Sequence, residues 1–284
     1  MTAILKYTGG KWRIADWIIS HFPKHNVYLE PFFGSGAVFF KKQPARIETI
    51  NDINGEIVNL FKVIRNNPAE LAKAIEFTPW AREEFVDCHA PTPDNPVEWA
   101  RRVIVRYHQS FGSNNRCKNS WKTGQRPNAP HVCGQWSRIP ESILSCAARL
   151  KQAQIECTDG IELIKAHNHP DVLIYADPPY MLQTRAGNLY KNEMPDNKHL
   201  ELLSALKESK AKIVLSGYDN ELYNQELSGW YTAETATINI QGKPPNRKDL
   251  VQLQPAHDRA NHRPARLTNP PRATVGGGLL RVFV

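Results

Sequence analysis

The residues with the clearest chemical potential are Asp177-Pro178-Pro179-Tyr180, which follow the apolar run Val172-Leu173-Ile174-Tyr175-Ala176. The run reads as a buried strand, and in open α/β sheets ligands bind beyond the carboxyl ends of strands. Two prolines at that point stop the strand and fix the carbonyls that follow. Asp177 and the Pro178 carbonyl can accept hydrogen bonds from an exocyclic amine, while Tyr180 can stack on a planar ring. Taken alone, the tetrapeptide reads equally well as a strand terminator.

A second group of residues adds weight to the first. Glu30-Pro31-Phe32-Phe33-Gly34-Ser35-Gly36 leaves the short apolar run Val27-Tyr28-Leu29, and its glycines allow backbone N–H groups to approach a ligand closely. Asp52 ends the next strand, about 20 residues on, where a carboxylate can accept hydrogen bonds from ribose hydroxyls. The pair describes a nucleoside site; a tight turn followed by a helix-capping Asp is the plainer alternative. Near the start, Tyr7-Thr8-Gly9-Gly10-Lys11 sets a double glycine between an aromatic ring and a cation.

The elements that position these groups follow from hydrophobic spacing. A helix over Lys11 to His21, a strand at Val27 to Glu30, a strand over Arg46 to Asn51 and a helix over Glu56 to Arg65 make a β-α-β beginning. From about Asn67 to Lys151 the spacing turns helical, over Pro68 to Phe77, Pro96 to Phe111 and Pro140 to Leu150, around a long polar loop from Gly112 to Trp136. Alternation resumes with strands at Gln154 to Cys157, Val172 to Ala176, Lys212 to Ser216 and Tyr231 to Ile240, and helices from Gly160 and around His199 to Ser209. The expected organisation is a discontinuous α/β domain over 1–65 and 152–243, an insertion over 66–151, and a poorly ordered basic tail over 244–284.

Charge is unevenly placed along the 284 residues, whose formal net charge is +8. Between Arg101 and Pro140 stand eight Lys and Arg and no Asp or Glu. Aromatic residues and amides interleave with them, as contact with a polyanion and its bases would require. The segment from Lys243 onward is also basic, and the remainder is net acidic. Five cysteines, with no C-x-x-C pair, indicate neither a disulfide framework nor a zinc module, and a reducing compartment suits them. Charges at Lys6, Lys11, Arg13 and Asp16 interrupt every N-terminal apolar stretch, so neither a signal peptide nor a membrane span is expected.

Taken together, these residues resemble one family, the Dam-like (D12 class) DNA adenine-N6 methyltransferases of bacteria and phages. The resemblance covers roughly residues 5 to 240, in that family's motif order. Tyr7 to Lys11 is similar to its N-terminal cofactor motif, Leu29 to Gly36 to its S-adenosylmethionine loop, and Asn51-Asp52-Ile53-Asn54 to its ribose motif. Asp159 falls where an acidic pocket residue is usual, Asp177-Pro178-Pro179-Tyr180 matches the catalytic motif, and Leu215-Ser216-Gly217-Tyr218 also fits.

The resemblance implies a Rossmann-like methyltransferase sheet of α/β class with an inserted, mostly helical DNA-recognition domain. It implies S-adenosylmethionine as cofactor, held by Tyr7, Gly9, Gly10, Lys11, Glu30, Pro31, Phe32, Gly34, Ser35, Gly36, Asp52, Asp159 and Asp177, with no metal. Catalysis is assigned to Asp177, Pro178, Pro179 and Tyr180 on a flipped-out adenine. Double-stranded DNA is the expected partner, with no membrane and no obligate protein partner, in a bacterial cytoplasm and with a phage or prophage gene as one source. Asn115, Arg116, Lys118, Lys122 and Arg126 are the candidate DNA contacts, because such side chains reach base edges or phosphates. A DNA-binding protein of the same fold with impaired catalysis, or methylation of RNA or of cytosine N4, remains an alternative. The family's closing strand has no match after Gly242-Lys243, where the chain turns Pro-, Arg- and His-rich.

Overall fold

Short, β-branched runs alternate with amphipathic segments, and the chain folds accordingly. The computed structural model describes residues 3–7, 9–111, 116–124, 131–181, 192–235, 249–253 and 281–283. In chain order they form α1 (Ala15–Ile19), β1 (Val27–Glu30), α2 (Ala37–Lys41), β2 (Ile47–Asn51), α3 (Gly55–Asn66), α4 (Pro68–Glu76), α5 (Arg82–Asp87) and α6 (Pro96–Gln109). Next come α7 (Val132–Trp136), α8 (Ile139–Leu150), β3 (Ala153–Glu156), α9 (Gly160–Ala166), β4 (Val172–Ala176), α10 (Asp196–Glu208) and β5 (Lys212–Tyr218). α11 (Glu221–Glu226), β6 (Tyr231–Thr235), β7 (Asp249–Leu253) and β8 (Arg281–Phe283) complete the described elements.

The chain groups into two compact units. The first contains residues up to Ser20 and Glu30–Gly160. Within it β2 and β3 pair in parallel, from Glu48 opposite Ala153 to Asn51 opposite Glu156. Its helical part packs α4 on α8 and α3 on both α6 and α8. α6 starts sharply because Asn95 accepts from the Val97 and Glu98 amides while Pro96 occupies the first turn, where no N–H is needed. Glu48 is fully buried on β2 between Lys42, at 2.5 Å, and Arg149, whose guanidinium also lies over the Phe39 ring. Burial alone would raise the Glu48 carboxyl, but hydrogen bonds from Arg149, Lys42 and the Ala45 amide outweigh it and hold it low. This ionic knot ties α8 to β2 and to the end of α2.

The helices between Pro68 and Leu150 fall in the same unit as α3 instead of forming a third body. α5 and α7 within that stretch were not expected from sequence. At six and five residues they are too short to show a 3.6-residue period.

The second unit contains His21–Leu29 and the chain from Ile161 onward except Leu189–Asn192, which groups with the first. β4 is buried at all five positions and pairs in parallel with β1 on one side and β5 on the other. A strand covered on both faces reads as a continuous apolar run, as Val172 to Ala176 does. β7 then joins β5 antiparallel, Tyr218 opposite Asp249 and Val214 opposite Leu253, and β6 pairs with β7. β8 pairs with β6.

Within 244–284, expected to be a poorly ordered tail, residues 249–253 and 281–283 form strands, and the rest lies outside the described residues. Asp249-Leu250-Val251-Gln252-Leu253 is only five residues long, does not alternate strictly between polar and apolar positions, and is set among Pro and Arg, so it was not marked as a strand. Of the expected strand from Tyr231 to Ile240, β6 accounts for the first half, and 236–240 lie outside the described residues. α11 was not expected either, at six residues.

Candidate functional site

In the first unit, backbone geometry gathers three separate loops. Gly34 and Gly36 both take left-handed φ, +50° and +66°, where a side chain is strained. A Cβ on Gly36 would lie 2.4 Å from Phe33 Cζ and one on Gly34 would lie 3.2 Å from Tyr7 Cε1. A Cβ on Gly10 would lie 3.1 Å from Ser35 Oγ. The expected N-terminal motif thus packs on the expected cofactor loop, with Tyr7 stacked on Tyr107 at 5.6 Å. Gly9 is also left-handed, the Gly10 amide donates to the Tyr7 carbonyl, and buried Lys11 donates Nζ to the Gly9 carbonyl at 2.8 Å. Thr8 lies outside the described residues. Glu30 and Pro31 are buried at the mouth of this loop, and Phe32 is half-buried.

Asp52 holds the loop from the other side. Its Oδ2 accepts from the Gly34 amide and its Oδ1 from the Asn54 amide, both at 2.9 Å. Burial raises its carboxyl to about 6, against the two amide hydrogen bonds, which lower it. The cap of α3 is not Asp52 but Asn54, whose side chain accepts from the Glu56 amide at 3.1 Å. Each carboxylate oxygen keeps a second lone pair, so both can also accept from hydroxyls.

Three residues of this region were not among the expected site residues. Ile53 is 57% exposed beside Asp52, an apolar side chain next to a carboxylate that suits the flat face of a base. Asn51, fully buried, donates Nδ2 to the Pro31 carbonyl at 2.9 Å and the Thr158 carbonyl at 3.1 Å, and accepts from the Thr158 amide at 2.9 Å. Gly160 lets the Thr158-Asp159 turn close on the cofactor loop, since a Cβ there would lie 2.9 Å from Phe32 Cε1. Half-buried Asp159 is carried on that turn. Only its place in the Asn51 to Asn54 motif marked Asn51; its bonds span 20 and 107 residues, which no local pattern reveals.

In the second unit, β4 delivers Asp177, half-buried, with Pro178 buried and Pro179 half-buried after it. The Tyr180 hydroxyl donates to Asp177 Oδ1 at 3.0 Å, and its ring meets Tyr218 of β5 edge-on, with centroids 4.4 Å apart. Tyr180 is buried. Behind β5, Tyr223 packs against Gly217 and shares a hydrogen bond with His199 Nδ1 at 2.9 Å. Burial, with the Asp177 charge as a lesser cause, raises the Tyr223 phenol above its usual range.

The basic segment divides in two. Arg101 pairs with Glu98 and Glu84, Arg102 with Glu98, and Arg106 with Glu56. Those carboxylates precede the segment in sequence, so the count of charges between Arg101 and Pro140 overstates the free basic surface. Beyond α6, the Phe111 amide donates to the Ser120 carbonyl and the Lys122 amide to the Gln109 carbonyl, with Ser110 opposite Trp121 in an antiparallel bridge. Arg82 lies over the Trp121 ring at 4.7 Å. Arg116 and Lys118 are exposed and Lys122 is half-buried, while Asn115 and Arg126 lie outside the described residues. Among the described residues no group of three or more His, Cys, Asp and Glu is placed to hold a metal ion, and no helix is long and apolar enough to cross a membrane.

Glycine-hinged loops at Asp52 and a strand-end Asp-Pro-Pro-Tyr turn on a mixed α/β scaffold define an enzyme of the methyltransferase class. Residues 7–239 match the model of the D12 class N6 adenine-specific DNA methyltransferases, and the chain belongs to that family. It is similar to the DNA adenine methylase of Haemophilus influenzae, 31% identical over 244 residues, or 78% of this chain and 82% of that one. The DNA adenine methylases of Salmonella typhimurium and of Escherichia coli K12 are 27% and 26% identical, each covering 81% of this chain and 84% of the relative. Among solved structures, an rRNA methylase from Streptococcus thermophilus covers 84% of this chain and 92% of its own, at 7% identity and a TM-score of 0.36, a likeness too slight to bear on activity.

Proposed function

We propose that this enzyme uses S-adenosylmethionine to methylate adenine N6 in double-stranded DNA, with Asp177 and the Pro178 carbonyl accepting the two N–H groups of the target amine. The supporting observation is the Tyr180 hydroxyl on Asp177 Oδ1, which holds the carboxylate in one orientation at the end of β4. An adenine amine shares its lone pair with the ring and is a weak nucleophile. Two acceptors fixed in advance draw the nitrogen toward tetrahedral geometry and localise that pair, which is positioning combined with electrostatic stabilisation.

The loops of the first unit fit the cofactor: glycine backbones at positions 34 and 36, Asp52 for ribose hydroxyls and Ile53 for a base face. Tyr7, Gly9, Gly10, Lys11, Glu30, Pro31, Phe32, Ser35 and Asp159 complete the proposed lining. Bound there, the cofactor supplies an electrophilic methyl group for direct displacement, a reaction that requires neither a metal nor a covalent enzyme intermediate.

A base inside a duplex is out of reach, so the adenine is flipped out at a cost of a few kcal/mol. Tyr180, hydrogen-bonded to Asp177, and Tyr218, edge-on against Tyr180, are the aromatic groups proposed to receive it. Phosphate contacts from Arg116, Lys118 and Lys122, in the recognition segment 66–151, offset that cost, with Asn115 and Arg126 as further contacts. Five free cysteines, of which Cys88 and Cys146 have thiols pushed up to about 12 by burial, suit a reducing bacterial cytoplasm.

Transfer of labelled methyl from S-adenosylmethionine to unmethylated duplex DNA, followed by nucleoside analysis, tests the reading. Wild type is expected to give N6-methyladenine, and Asp177→Ala to lose at least about a hundredfold in rate. Methylcytosine as product, or an Asp177→Ala rate near wild type, would sink the assignment.

A further inference from the structure

The Asn51 side chain ties two other segments of the proposed cofactor site, at Pro31 and Thr158, to the strand end that carries Asp52. Asn51 sits at the last position of β2, is 1% exposed, and spends its amide group entirely within the protein. Its Nδ2 hydrogens go to the Pro31 and Thr158 carbonyls, and its Oδ1 receives the Thr158 amide. Its own carbonyl accepts from the Phe33 amide at 2.8 Å. Pro31 and Phe33 belong to the glycine loop, Thr158 precedes Asp159, and Asp52 follows Asn51 directly in the chain. Each polar atom of the Asn51 side chain is thus engaged within the protein.

We infer that Asn51 is a positioning residue that sets the spacing between the glycine loop, the Asp52 carboxylate and the Asp159 turn, and thereby sets affinity for S-adenosylmethionine. The inference rests on the proposal that these loops hold that cofactor. Only an amide of this length offers two donors to two carbonyls and one acceptor to an amide. Asp is nearly isosteric, yet its carboxylate has no donor and faces two carbonyl oxygens. Such a group takes up a proton readily, and once protonated it regains one donor. Leu has the shape without any hydrogen bonding.

The test measures S-adenosylmethionine and duplex-DNA binding separately, by titration calorimetry, for wild type, Asn51→Asp and Asn51→Leu. Both variants are expected to bind the cofactor roughly tenfold or more weakly, since buried partners are left unpaired, with DNA affinity little changed. The deficit of Asn51→Asp should narrow from alkaline to neutral pH, whereas that of Asn51→Leu should not. The titratable groups on the same segments are Asp52, Glu156 and Asp159, and of these Asp52 adjoins the new carboxylate and titrates together with it in Asn51→Asp.

A second measurement needs no variant: added cofactor should slow amide exchange at Phe33, Gly34 and Thr158 of wild type together. Tight cofactor binding by all three proteins, or slowing at Gly34 without Thr158, would overturn the role of Asn51 alone. No cofactor binding by wild type would instead overturn the cofactor proposal, and this inference with it.

Discussion

The loops around Asp52 and the arginines of α6 are both made of residues whose types suggest contact with a ligand, and they differ in where their polar groups are spent. Around Asp52, hydrogen bonds run between loops, from Gly34 and Asn54 to Asp52 and from Asn51 to Pro31 and Thr158. Those bonds fix the backbone and leave Ile53 turned outward. In α6 the guanidinium groups of Arg101, Arg102 and Arg106 are taken up by Glu84, Glu98 and Glu56. Pairing with Arg101 first, and then with Arg102, holds the Glu98 carboxyl below its usual range, while hydrogen bonds to Glu98 and Glu84 raise Arg101. A cationic side chain is therefore a sign of nucleic-acid contact only when no carboxylate has claimed it.

Substitutions in each region can break that contrast, beginning with the loop. Gly36→Ala places a Cβ within 2.4 Å of Phe33 Cζ at a φ of +66°, and Phe33 is packed edge-on against Phe61 at 4.8 Å. We expect a loss of about 1–3 kcal/mol in urea unfolding, from backbone strain alone, together with weaker cofactor binding. Gly34→Ala should cost less, because its Cβ would lie 3.2 Å from the edge of a tyrosine ring. Equal stability of Gly36→Ala and wild type would mean that the loop is not held as described.

Arg101→Ala is expected to destabilise by about 1–2 kcal/mol, since hydrogen bonds to charged partners are lost while Glu84 and Glu98 stay partly buried. Its DNA affinity, compared at a temperature where both proteins are folded, should remain close to that of wild type. Arg116 is exposed, and Arg116→Ala should leave stability within about 0.5 kcal/mol and reduce the salt dependence of DNA binding by about one counterion. If Arg101→Ala lowers the salt slope as much as Arg116→Ala does, the division of the basic segment is wrong.

The smallest effect concerns pH. The Asp52 carboxyl is raised from 3.8 to about 6, so its ionised form is disfavoured by folding. The stability it contributes is fully present below its unfolded value and is lost as pH rises through about 6. Asp52→Asn should thus be more stable relative to wild type at neutral pH than at acid pH, a trend that urea unfolding across pH would show. Affinity for S-adenosylmethionine should rise in wild type as Asp52 ionises and stay flat in Asp52→Asn. A flat wild-type curve would remove Asp52 from the ribose role.

Much of the scaffold was legible locally. Val172 to Ala176 is apolar at every position because β4 is covered on both faces, and Asn95-Pro96 announces the start of α6. The order of Gly34-Ser35-Gly36, Asp52 and Asp177-Pro178-Pro179-Tyr180 was likewise visible, since each motif is a few consecutive residues at the end of a strand. Short elements were not legible: α5, α7 and α11 have too few residues to display a helical period. Strand β7 was lost for a related reason, because its five residues sit between stretches rich in proline and arginine.

Sequence alone determined the alternation of strands and helices, the position of each motif along the chain and the net positive charge. It could do so because hydrophobic period, turn chemistry and composition are properties of neighbouring residues. Tertiary structure decided which carboxylate each arginine meets, that Asn51 binds Pro31 and Thr158 together, and that residues 249–253 pair with β5. Those outcomes depend on hydrogen-bond partners brought within 3 Å or so of one another from distant parts of the chain, and no local pattern records such a meeting.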